Sequence, residues 1–428
     1  MKIAFYTLGC KVNQYDTQMM KDLLCADGHE IVDFKDSADC YIINTCTVTN
    51  MSDRKSRQMI SRCRQNNRDA VIVVCGCFSQ VAADQVAQIP DVDIILGTAN
   101  RKKIDEYLRI FAQNGQKIIA PADLSKENAL NGEAVTNFSG KTRAGLKIED
   151  GCRNFCSYCI IPFARGNIRS KPPKEVIGEI QGLAEHGFSE VVLTGINLSC
   201  YGVDLKTVNL ADIIEKAAET SIERIRLGSL EPGIITKSFV SKIAGIDKLM
   251  PSFHLSLQSG CDSVLARMNR HYTTEEYLTA VNLLRNHFEN CAITTDIIVG
   301  FPGETEEEFS KTLAFAEKVS FAKIHIFPYS ARTGTKAAAM PAQVPPAVKS
   351  EREKRLAVVE QQTRIAFLKQ QIHRRPAVLF EQKRGEFWEG HTPNYLRVLL
   401  KSDKDLTGKI QVLQIERTDG RDLFAKEC

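Results

Sequence analysis

Long apolar runs are missing from this chain. None approaches the roughly 20 residues that would cross a bilayer, and Met1 leads straight into the strand-like KIAFYT without the charged-then-apolar leader of an exported protein. The expectation is a cytoplasmic protein with no membrane partner. A strong excess of either charge is missing too: 56 Lys and Arg face 52 Asp and Glu, for a formal net charge of +4. Charge alone therefore neither demands nor excludes a nucleic-acid partner. Cysteine, by contrast, is abundant, at 14 of 428 residues. In a reducing compartment this argues against disulfides and for metal or redox sites. The length exceeds one ordinary core, so about two to four domains are expected.

The densest cysteine pattern lies in Lys147–Ser170, KIEDGCRNFCSYCIIPFARGNIRS, where Cys152, Cys156 and Cys159 are spaced C-x-x-x-C-x-x-C. A short loop with that spacing turns three thiolates toward one point, and thiolates are the soft ligands of zinc and iron-sulfur clusters. Structural zinc takes four closed ligands. A [4Fe-4S] cluster on three cysteines instead keeps one iron open for a substrate or cofactor. The spacing resembles that of the radical S-adenosylmethionine (SAM) enzymes, and Tyr158 matches the aromatic that this family places before its third cysteine. The resemblance implies a [4Fe-4S] cluster on these cysteines with SAM on its open iron.

Ahead of this loop, apolar runs alternate with amphipathic segments: KIAFYT, a helical stretch to about Asp27, EIVDF, CYIINT, a helix near Asp53 to Asn66, VIVVC, another helix, DIILG and a last helix. That order predicts an α/β domain with a doubly wound parallel sheet. Cys10, Cys46 and Cys77 each follow a strand, which gathers them at the carboxyl edge where such sheets bind ligands. Gly9, Thr45 and Gly76 beside them let the backbone approach a bulky group. The segments TLGCKVNQYDTQ, INTCTVTN followed by DRKSRQ, and CGCFSQ resemble the N-terminal domain of the methylthiotransferases, radical SAM enzymes that insert sulfur and methylate it. The resemblance implies an auxiliary [4Fe-4S] cluster on Cys10, Cys46 and Cys77. Within CGC, Cys77 is favoured because the family's cysteine follows the glycine, while Cys75 sits in the apolar strand. Cys25, Cys40, Cys63, Cys200, Cys261, Cys291 and Cys428 match no ligand position. The Asp53–Arg68 helix carries Arg54, Lys55, Arg57, Arg62, Arg64 and Arg68 against Asp53, a candidate phosphate-contacting face.

Polar sequence from Ala120 to Thr142, with Asn128, Asn131, Gly132 and Gly140 as breakers, reads as an interdomain connection. Beyond it EVVLTG, RIRLGS, SFHLSLQ, AITTDIIVG and AKIHIFPY alternate with amphipathic helices, which predicts a partial (β/α) barrel with its site at the carboxyl ends of the strands. The residues after successive strands are Gly195 and Asn197, Ser229 and Glu231, Gln258 and Ser259, Asp296, Gly300 and Gly303, then Phe327 and Tyr329. Their recurrence at five strand ends defines a shared cleft. Within the resemblance, Gly195 and Asn197 lie against the amino-acid portion of SAM, Ser229 and Glu231 suit its ribose hydroxyls or ammonium, and Gln258 belongs to the same cofactor set. Phe327 and Tyr329 are placed to stack on an adenine or substrate base. His254, within SFHLSLQ, is read as a core histidine.

Lys349 to Arg375 reads as one long helix whose Leu356, Val359, Ile365, Leu368 and Ile372 face a neighbour. From Pro376 the pattern becomes short strands, PAVLFEQ, YLRVLLK, KIQVLQIE and DLFAKEC, which predict a small antiparallel β-barrel. GEFWEGHTPNYLRV resembles TRAM, the small RNA-binding domain that closes methylthiotransferases. RNA contacts are then expected from His391, Asn394 and Arg397, and Trp388, the sole tryptophan, is read as core. The implied domains are residues 1–137, 138–372 including the connecting helix, and 373–428.

The resemblance covers nearly the whole chain. It is closest to the branch that converts N6-threonylcarbamoyladenosine beside the tRNA anticodon to its 2-methylthio derivative, on the strength of LGCKVNQYD, TVTN with DRKSRQ, TRAGLKIEDGC and GHTPNY. The rivals are the isopentenyladenosine branch, the branch acting on a ribosomal-protein aspartate and, remotely, a non-catalytic zinc-containing RNA-binding protein. Implied partners are the anticodon stem-loop of tRNA and an electron donor such as a flavodoxin or ferredoxin. A stacked adenine would have to be extruded to be reached. The threonylcarbamoyl carboxylate requires a basic partner, for which Arg143, Arg165 and Arg270 are the candidates.

Overall fold

The computed structural model describes residues 1–48, 50–130, 135 and 142–428, with residues 50 and 51 described by their backbone alone. Asn131, Gly132, Gly140 and the expected boundary at 137/138 lie outside the described residues.

Six parallel strands form the first sheet: β1 (Lys2–Thr7), β2 (Glu30–Val32), β3 (Cys40–Thr45), β4 (Val71–Gly76), β5 (Ile94–Leu96) and β6 (Ile118–Ala120), in the order β2-β1-β3-β4-β5-β6. β3 and β4 are near-continuous apolar runs because helices cover both their faces. Tyr41, Ile43, Ile72 and Val74 pack with Ile60 and Phe78 on one side, and Ile42 and Val73 pack with Met20, Leu24 and Leu108 on the other. The strand order changes direction between β1 and β3, the place where open α/β sheets bind ligands outside their carboxyl ends.

The second unit comprises β7 (Arg143–Lys147), β8 (Glu149–Asp150), β9 (Arg169–Ser170), β10 (Glu190–Thr194), β11 (Arg224–Leu227), β12 (Ser229–Leu230), β13 (Ser252–Leu255), β14 (Ala292–Val299) and β15 (Lys323–Pro328). β7, β10 and β11 pair in parallel, as do β12 to β15. Only Gly228 separates β11 from β12, so one segment joins both sheets into a curved, open wall, the partial barrel expected. Leu146, Val191, Leu193, Ile225, Leu255, Ile293 and Ile297 point outward from it into a core shared with the surrounding helices. Three of those helices open with reciprocal caps, Asn209 with Asp212, Thr273 with Glu276 and Thr305 with Glu308, which satisfy backbone donors that would otherwise be orphaned. β8 and β9 pair antiparallel and frame the cysteine loop between them.

The connecting helix runs Pro346–Lys369 and begins on Pro345–Pro346, where a missing N–H costs nothing. Its Leu356 and Val359 join the central core, while Ile365 and Ile372 are only half-buried. β16 (Ala377–Arg384), β17 (Phe387–His391), β18 (Arg397–Lys401), β19 (Ile410–Thr418) and β20 (Leu423–Glu427) close into a barrel. All its pairs are antiparallel except β18 with β20. That pair closes the barrel and removes the exposed edges. Trp388 packs inside with Val378, Phe380, Val398 and Leu413, as read. Among the described residues no helix is long and apolar enough to cross a membrane.

Candidate active site

The loop between β8 and β9 is pinned from several directions. Gly151 has φ +95°, and a Cβ there would sit 1.9 Å from Asn167 O, so only glycine fits. Ser157 N donates to Met268 O at 2.9 Å and its Oγ to Arg267 O at 2.8 Å, while Asn269 Nδ2 donates to Asn154 O at 3.1 Å. Two side chains aim N–H groups at sulfur: Arg270 Nη1 lies 3.2 Å from Cys156 Sγ and Asn197 Nδ2 lies 4.0 Å from Cys152 Sγ. Burial raises the Cys152 thiol and pushes Cys159 up to about 12, and the neighbouring thiols add to both shifts. Three neighbouring soft ligands on one short loop, two of them with N–H donors behind them, suit a cluster bound through three cysteines, since hydrogen bonds to sulfur help set its potential.

The cofactor-side residues rest on acids beneath them. Glu149, fully buried, accepts from Asn197 N at 2.7 Å, and a Cβ on Gly195 would lie 2.5 Å from Glu149 Oε2. Burial raises the Glu149 carboxyl well above its ordinary value, with the backbone N–H of Asn197 acting against it. Sequence reasoning missed Glu149, although its place in KIEDGC, three residues before a ligand, was a signal. Glu231 pairs with the Arg270 guanidinium, and its own N–H donates to Ser199 Oγ at 2.8 Å. Gln258, at φ +71°, donates its backbone N–H to Asp296 O at 2.9 Å. It lines a cavity of about 200 Å³ with Tyr158, Cys159, Asp296 and Phe327. Phe327 is 42% exposed and free to stack, whereas Tyr329 is 4% exposed, its ring edge-on to Phe301 at 5.6 Å. Tyr329 is therefore a wall of that cavity, and stacking falls to Phe327.

His254 departs from the core expectation. Strand alternation buries Phe253 and Leu255 and turns His254 inward to line a larger cavity of about 920 Å³. Its Nδ1 is 3.0 Å from Thr294 Oγ1 and its Nε2 is 3.4 Å from Asp296 Oδ2. The potential ligand atoms of His254, Asp296 and His325 lie within 4.8 Å of one another, so this group could hold a cation. Ser229, Gly195, Asp296 and Phe327 line the same cavity, and so does Cys10.

The other three thiols sit at the ends of adjacent strands β1, β3 and β4. A Cβ on Gly9 would be 2.8 Å from Cys46 Cβ, so that glycine lets the loops carrying Cys10 and Cys46 touch. Asn13 Nδ2 ties them further, donating to Leu8 O at 2.8 Å and Thr45 O at 2.9 Å. Gly76, at φ +103°, turns the chain so that Cys77 opens the next helix. Burial pushes Cys46 up to about 11, with Cys77 and Cys10 adding to the shift, and it also raises Cys77, against the pull of Arg165. Cys75 points into the apolar core with Ile42, Val73 and Leu96. Cys10, Cys46 and Cys77 thus follow adjacent strands and are near enough to influence one another's thiols.

Two arginines named for the substrate carboxylate are occupied elsewhere. Arg165 is fully buried in the joint between the first two units. Its Nη1 reaches Asp16 at 3.0 Å and Asp150 at 3.2 Å, and its Nη2 reaches Asn13. Arg270 is held by Glu231, Tyr272 and Cys156, on the cluster side of the cleft. In both arginines the Nη groups already donate to fixed acceptors. The joint is closed further by Thr98 Oγ1 donating to Ala164 O at 2.8 Å and by Arg332 donating to Thr47 at 2.7 Å and pairing with Asp53.

Arg143 donates to Glu381 at 2.8 Å, and its guanidinium lies 4.8 Å from the Tyr395 ring centre. Lys11 stands beside it, opening onto the cavity next to Cys10. Burial, Arg143 and Arg226 pull the Lys11 ammonium below the usual lysine value, and Glu190 acts against them.

His391 pairs with Glu381 and stacks on Tyr395 at 4.8 Å. Asn394, 3% exposed, donates to Asn290 O at 3.1 Å. Asn394 helps seat the small barrel on the central unit, whereas the His391 side chain stays within the barrel, and both residues line the large cavity. Arg397 pairs with Asp422 on the cavity rim. On the basic helix, which spans Asn50–Asn66, Arg64 is engaged by Asp93 at 3.0 Å and by Ala70 O at 2.6 Å. Arg54, Lys55, Arg57, Arg62 and Arg68 remain exposed.

Comparison with known proteins agrees with this geometry. Residues 2–97 match the family model described as Uncharacterized protein family UPF0004, and residues 146–316 match the Radical SAM superfamily. The chain is 42% identical to the threonylcarbamoyladenosine tRNA methylthiotransferase MtaB of Bacillus subtilis, over 96% of this chain and 93% of that protein. It is 37% identical to the MtaB of Aquifex aeolicus, over 96% and 100% respectively. It is 35% identical to the tRNA-2-methylthio-N(6)-dimethylallyladenosine synthase of Moorella thermoacetica, over 96% and 95%. Among solved structures it is similar in fold to the radical S-adenosylmethionine methyltransferase TsrM of Kitasatospora setae, with TM-score 0.58 and 16% identity over 90% of this chain and 79% of that one.

Proposed function

The chain belongs to the radical SAM tRNA methylthiotransferases, and from that premise we propose that it converts N6-threonylcarbamoyladenosine of tRNA to the 2-methylthio derivative. The observation that carries the proposal is the meeting of two cavities at Asp296 and Phe327, one reaching Cys159 and the other reaching Cys10. A base seated there would lie between the cavity lined by Cys159 and the cavity lined by Cys10. Cys152, Cys156 and Cys159 would hold one [4Fe-4S] cluster, with SAM beside it, and Cys10, Cys46 and Cys77 a second. When bound, these groups supply a radical able to remove hydrogen from an unactivated carbon and the sulfur that replaces it, chemistry that no side chain here can provide.

The chain's own residues bind, orient and exclude water. Arg270 and Asn197 direct N–H groups to the Cys156 and Cys152 sulfurs. Glu149 fixes the Gly195–Asn197 turn and Glu231 fixes Arg270. Gln258 and Asp296 offer polar groups to SAM, with Ser229 further along the wall, while the exposed ring of Phe327 offers a stacking face. Tyr158 and Tyr329 close the smaller cavity. The exposed cations of the basic helix, with Arg397 on the barrel rim, suit the phosphates of an anticodon stem-loop. A flavodoxin or ferredoxin would deliver electrons in the cytoplasm. The domains are proposed as residues 1–137, 138–372 and 373–428.

The test is anaerobic reconstitution followed by turnover on stem-loop RNAs carrying either threonylcarbamoyladenosine or isopentenyladenosine. About eight irons per chain are expected, with methylthiolation of the threonylcarbamoyl RNA. Preference for the isopentenyl RNA, or zinc in place of iron without SAM cleavage, would overturn the reading.

A further inference from the structure

Three donors without protein acceptors line a side cavity that shares Lys11 with the large cavity reaching Cys10. Lys11, the residue after that cysteine, has no ion-pair or hydrogen-bond partner among the described residues, although it opens onto both the large cavity and a side cavity of about 360 Å³. Arg143 Nη1 and Thr142 Oγ1 are buried atoms with no hydrogen-bond partner, and both residues line that side cavity. The acids nearby are committed elsewhere. Glu190 takes Arg226 through both oxygens, at 2.8 and 3.0 Å, and stands 3.9 Å from Arg143 Nη1. Glu381 accepts from Arg143 Nη2 at 2.8 Å and pairs with His391. Buried donors left unmade are costly, which applies to Arg143 Nη1 and Thr142 Oγ1, and an Arg N–H beside an exposed lysine ammonium suits a carboxylate or phosphate. The side cavity is within the size range of small-ligand sites, about 300–1,000 Å³. Lys11 and Tyr395 line both cavities, so a group entering beside the base can reach it.

We propose that Lys11, Arg143 and Thr142 receive the carboxylate of the threonylcarbamoyl group, and so select this adenosine over one bearing an uncharged substituent. The proposal rests on the function given above. It retains Arg143 from the sequence-based candidates, sets aside Arg165 and Arg270, and adds two residues that sequence reasoning did not name. An RNA phosphate is the other source of the same anionic chemistry, and the test separates the two.

The reconstituted holoenzyme, as wild type, Lys11→Gln, Lys11→Arg and Thr142→Val, is assayed for equilibrium binding by fluorescence anisotropy and for KM and kcat. Three stem-loops are used: one with threonylcarbamoyladenosine, one with its methyl ester and one with unmodified adenosine. Loss of a charge-assisted contact predicts about 10- to 100-fold weaker binding of the acid RNA by Lys11→Gln. A smaller loss is expected for Thr142→Val, with partial recovery in Lys11→Arg and no change on the ester or unmodified RNA. Equal weakening on all three RNAs would assign the site to a phosphate and overturn the proposal, as would no change on any. Wild-type enzyme that binds and turns over only adenosines lacking the acid would overturn the functional reading and this proposal together. Normal wild-type turnover with an indifferent Lys11→Gln would overturn the proposal alone.

Discussion

Replacing Asp16 by Asn would preserve a side chain's shape while deleting its charge at the point where three cations meet. Arg101 Nη2 lies 2.7 Å, Lys147 Nζ 2.5 Å and Arg165 Nη1 3.0 Å from its oxygens, and none of these side chains is more than 8% exposed. In Asp16→Asn, Lys147 and Arg165 keep Asp150, each at 3.2 Å. Arg101 keeps only neutral acceptors, Thr98 O at 2.9 Å and Asn44 Oδ1 at 3.2 Å. Removing one partner of a buried ion pair costs about 3–5 kcal/mol. The sharing of Asp150 places this case at about 3–4 kcal/mol, and because about 1.4 kcal/mol is tenfold, opening of the joint should rise roughly 100- to 1,000-fold. Hydrogen exchange read by mass spectrometry on peptides covering Lys11–Ala26 and Lys147–Ser170 reports that opening. Burial alone would raise the Asp16 carboxyl, but Arg101, Lys147 and Arg165 outweigh it and hold the group below the carboxylate range. With the folded value depressed, the stabilisation is fully present above the unfolded value of about 3.9 and is lost as pH falls through the folded value. The difference between wild type and Asp16→Asn should therefore be flat from about pH 5 to 8 and shrink only in acid. A rise in exchange below tenfold, or one spread equally over β16 to β20, would refute the reasoning.

Three further outcomes are expected. Glu308 is held at about 2, chiefly by hydrogen bonds from Arg267 at 2.7 and 2.8 Å. Glu308→Gln should lose about 1 kcal/mol at neutral pH, the modest value of a partly solvated pair, and denaturant titrations of the two proteins should converge as pH falls from about 4.5 toward the folded value. Gly195→Ala places a Cβ 2.5 Å from Glu149 Oε2. It should destabilise the central unit by about 1–3 kcal/mol and lower iron retention by the Cys152 loop; unchanged melting and iron content would count against the tight seat described. Charge reversal at the exposed Arg57 and Arg62 should weaken RNA binding at least tenfold and flatten its salt dependence, and filter binding at several salt concentrations is the check.

The cysteine pattern and its place on the strands were legible because that information is local. Three ligands within eight residues, or one after each strand of a parallel sheet, need only spacing and strand order to be read. The joint was not legible, because its partners are distant: Lys147 meets Asp16 across 131 positions and Arg165 meets Asn13 across 152. Taken singly, each of these charged residues looks like a solvated one. His254 could have been read better. Its neighbours Phe253 and Leu255 are the outward-facing apolar pair, so period-two alternation already placed it on the inner face. His391 ends β17 and Asn394 sits in the turn after it, places that resemble exposed ones. Their burial left no mark in sequence because the barrel docks through backbone carbonyls, with Arg224 donating to Ala377 O at 2.9 Å and Arg226 to Pro393 O at 2.9 Å. Lys11 escaped notice because an exposed lysine looks like any solvated one, and only the two cavities it lines set it apart.

The central claim is that two thiol sets serve one base from a shared cavity. Its most direct test is mass spectrometry of nucleosides after incubation of the anaerobic holoenzyme with threonylcarbamoyladenosine stem-loop, SAM and reductant, comparing wild type with a Cys10, Cys46 and Cys77 triple alanine variant and a Cys152, Cys156 and Cys159 triple alanine variant. Wild type should yield the 2-methylthio nucleoside. The first variant should still cleave SAM while yielding none of that product, and the second should do neither. Methylthiolated product from the Cys10, Cys46 and Cys77 variant would contradict the claim.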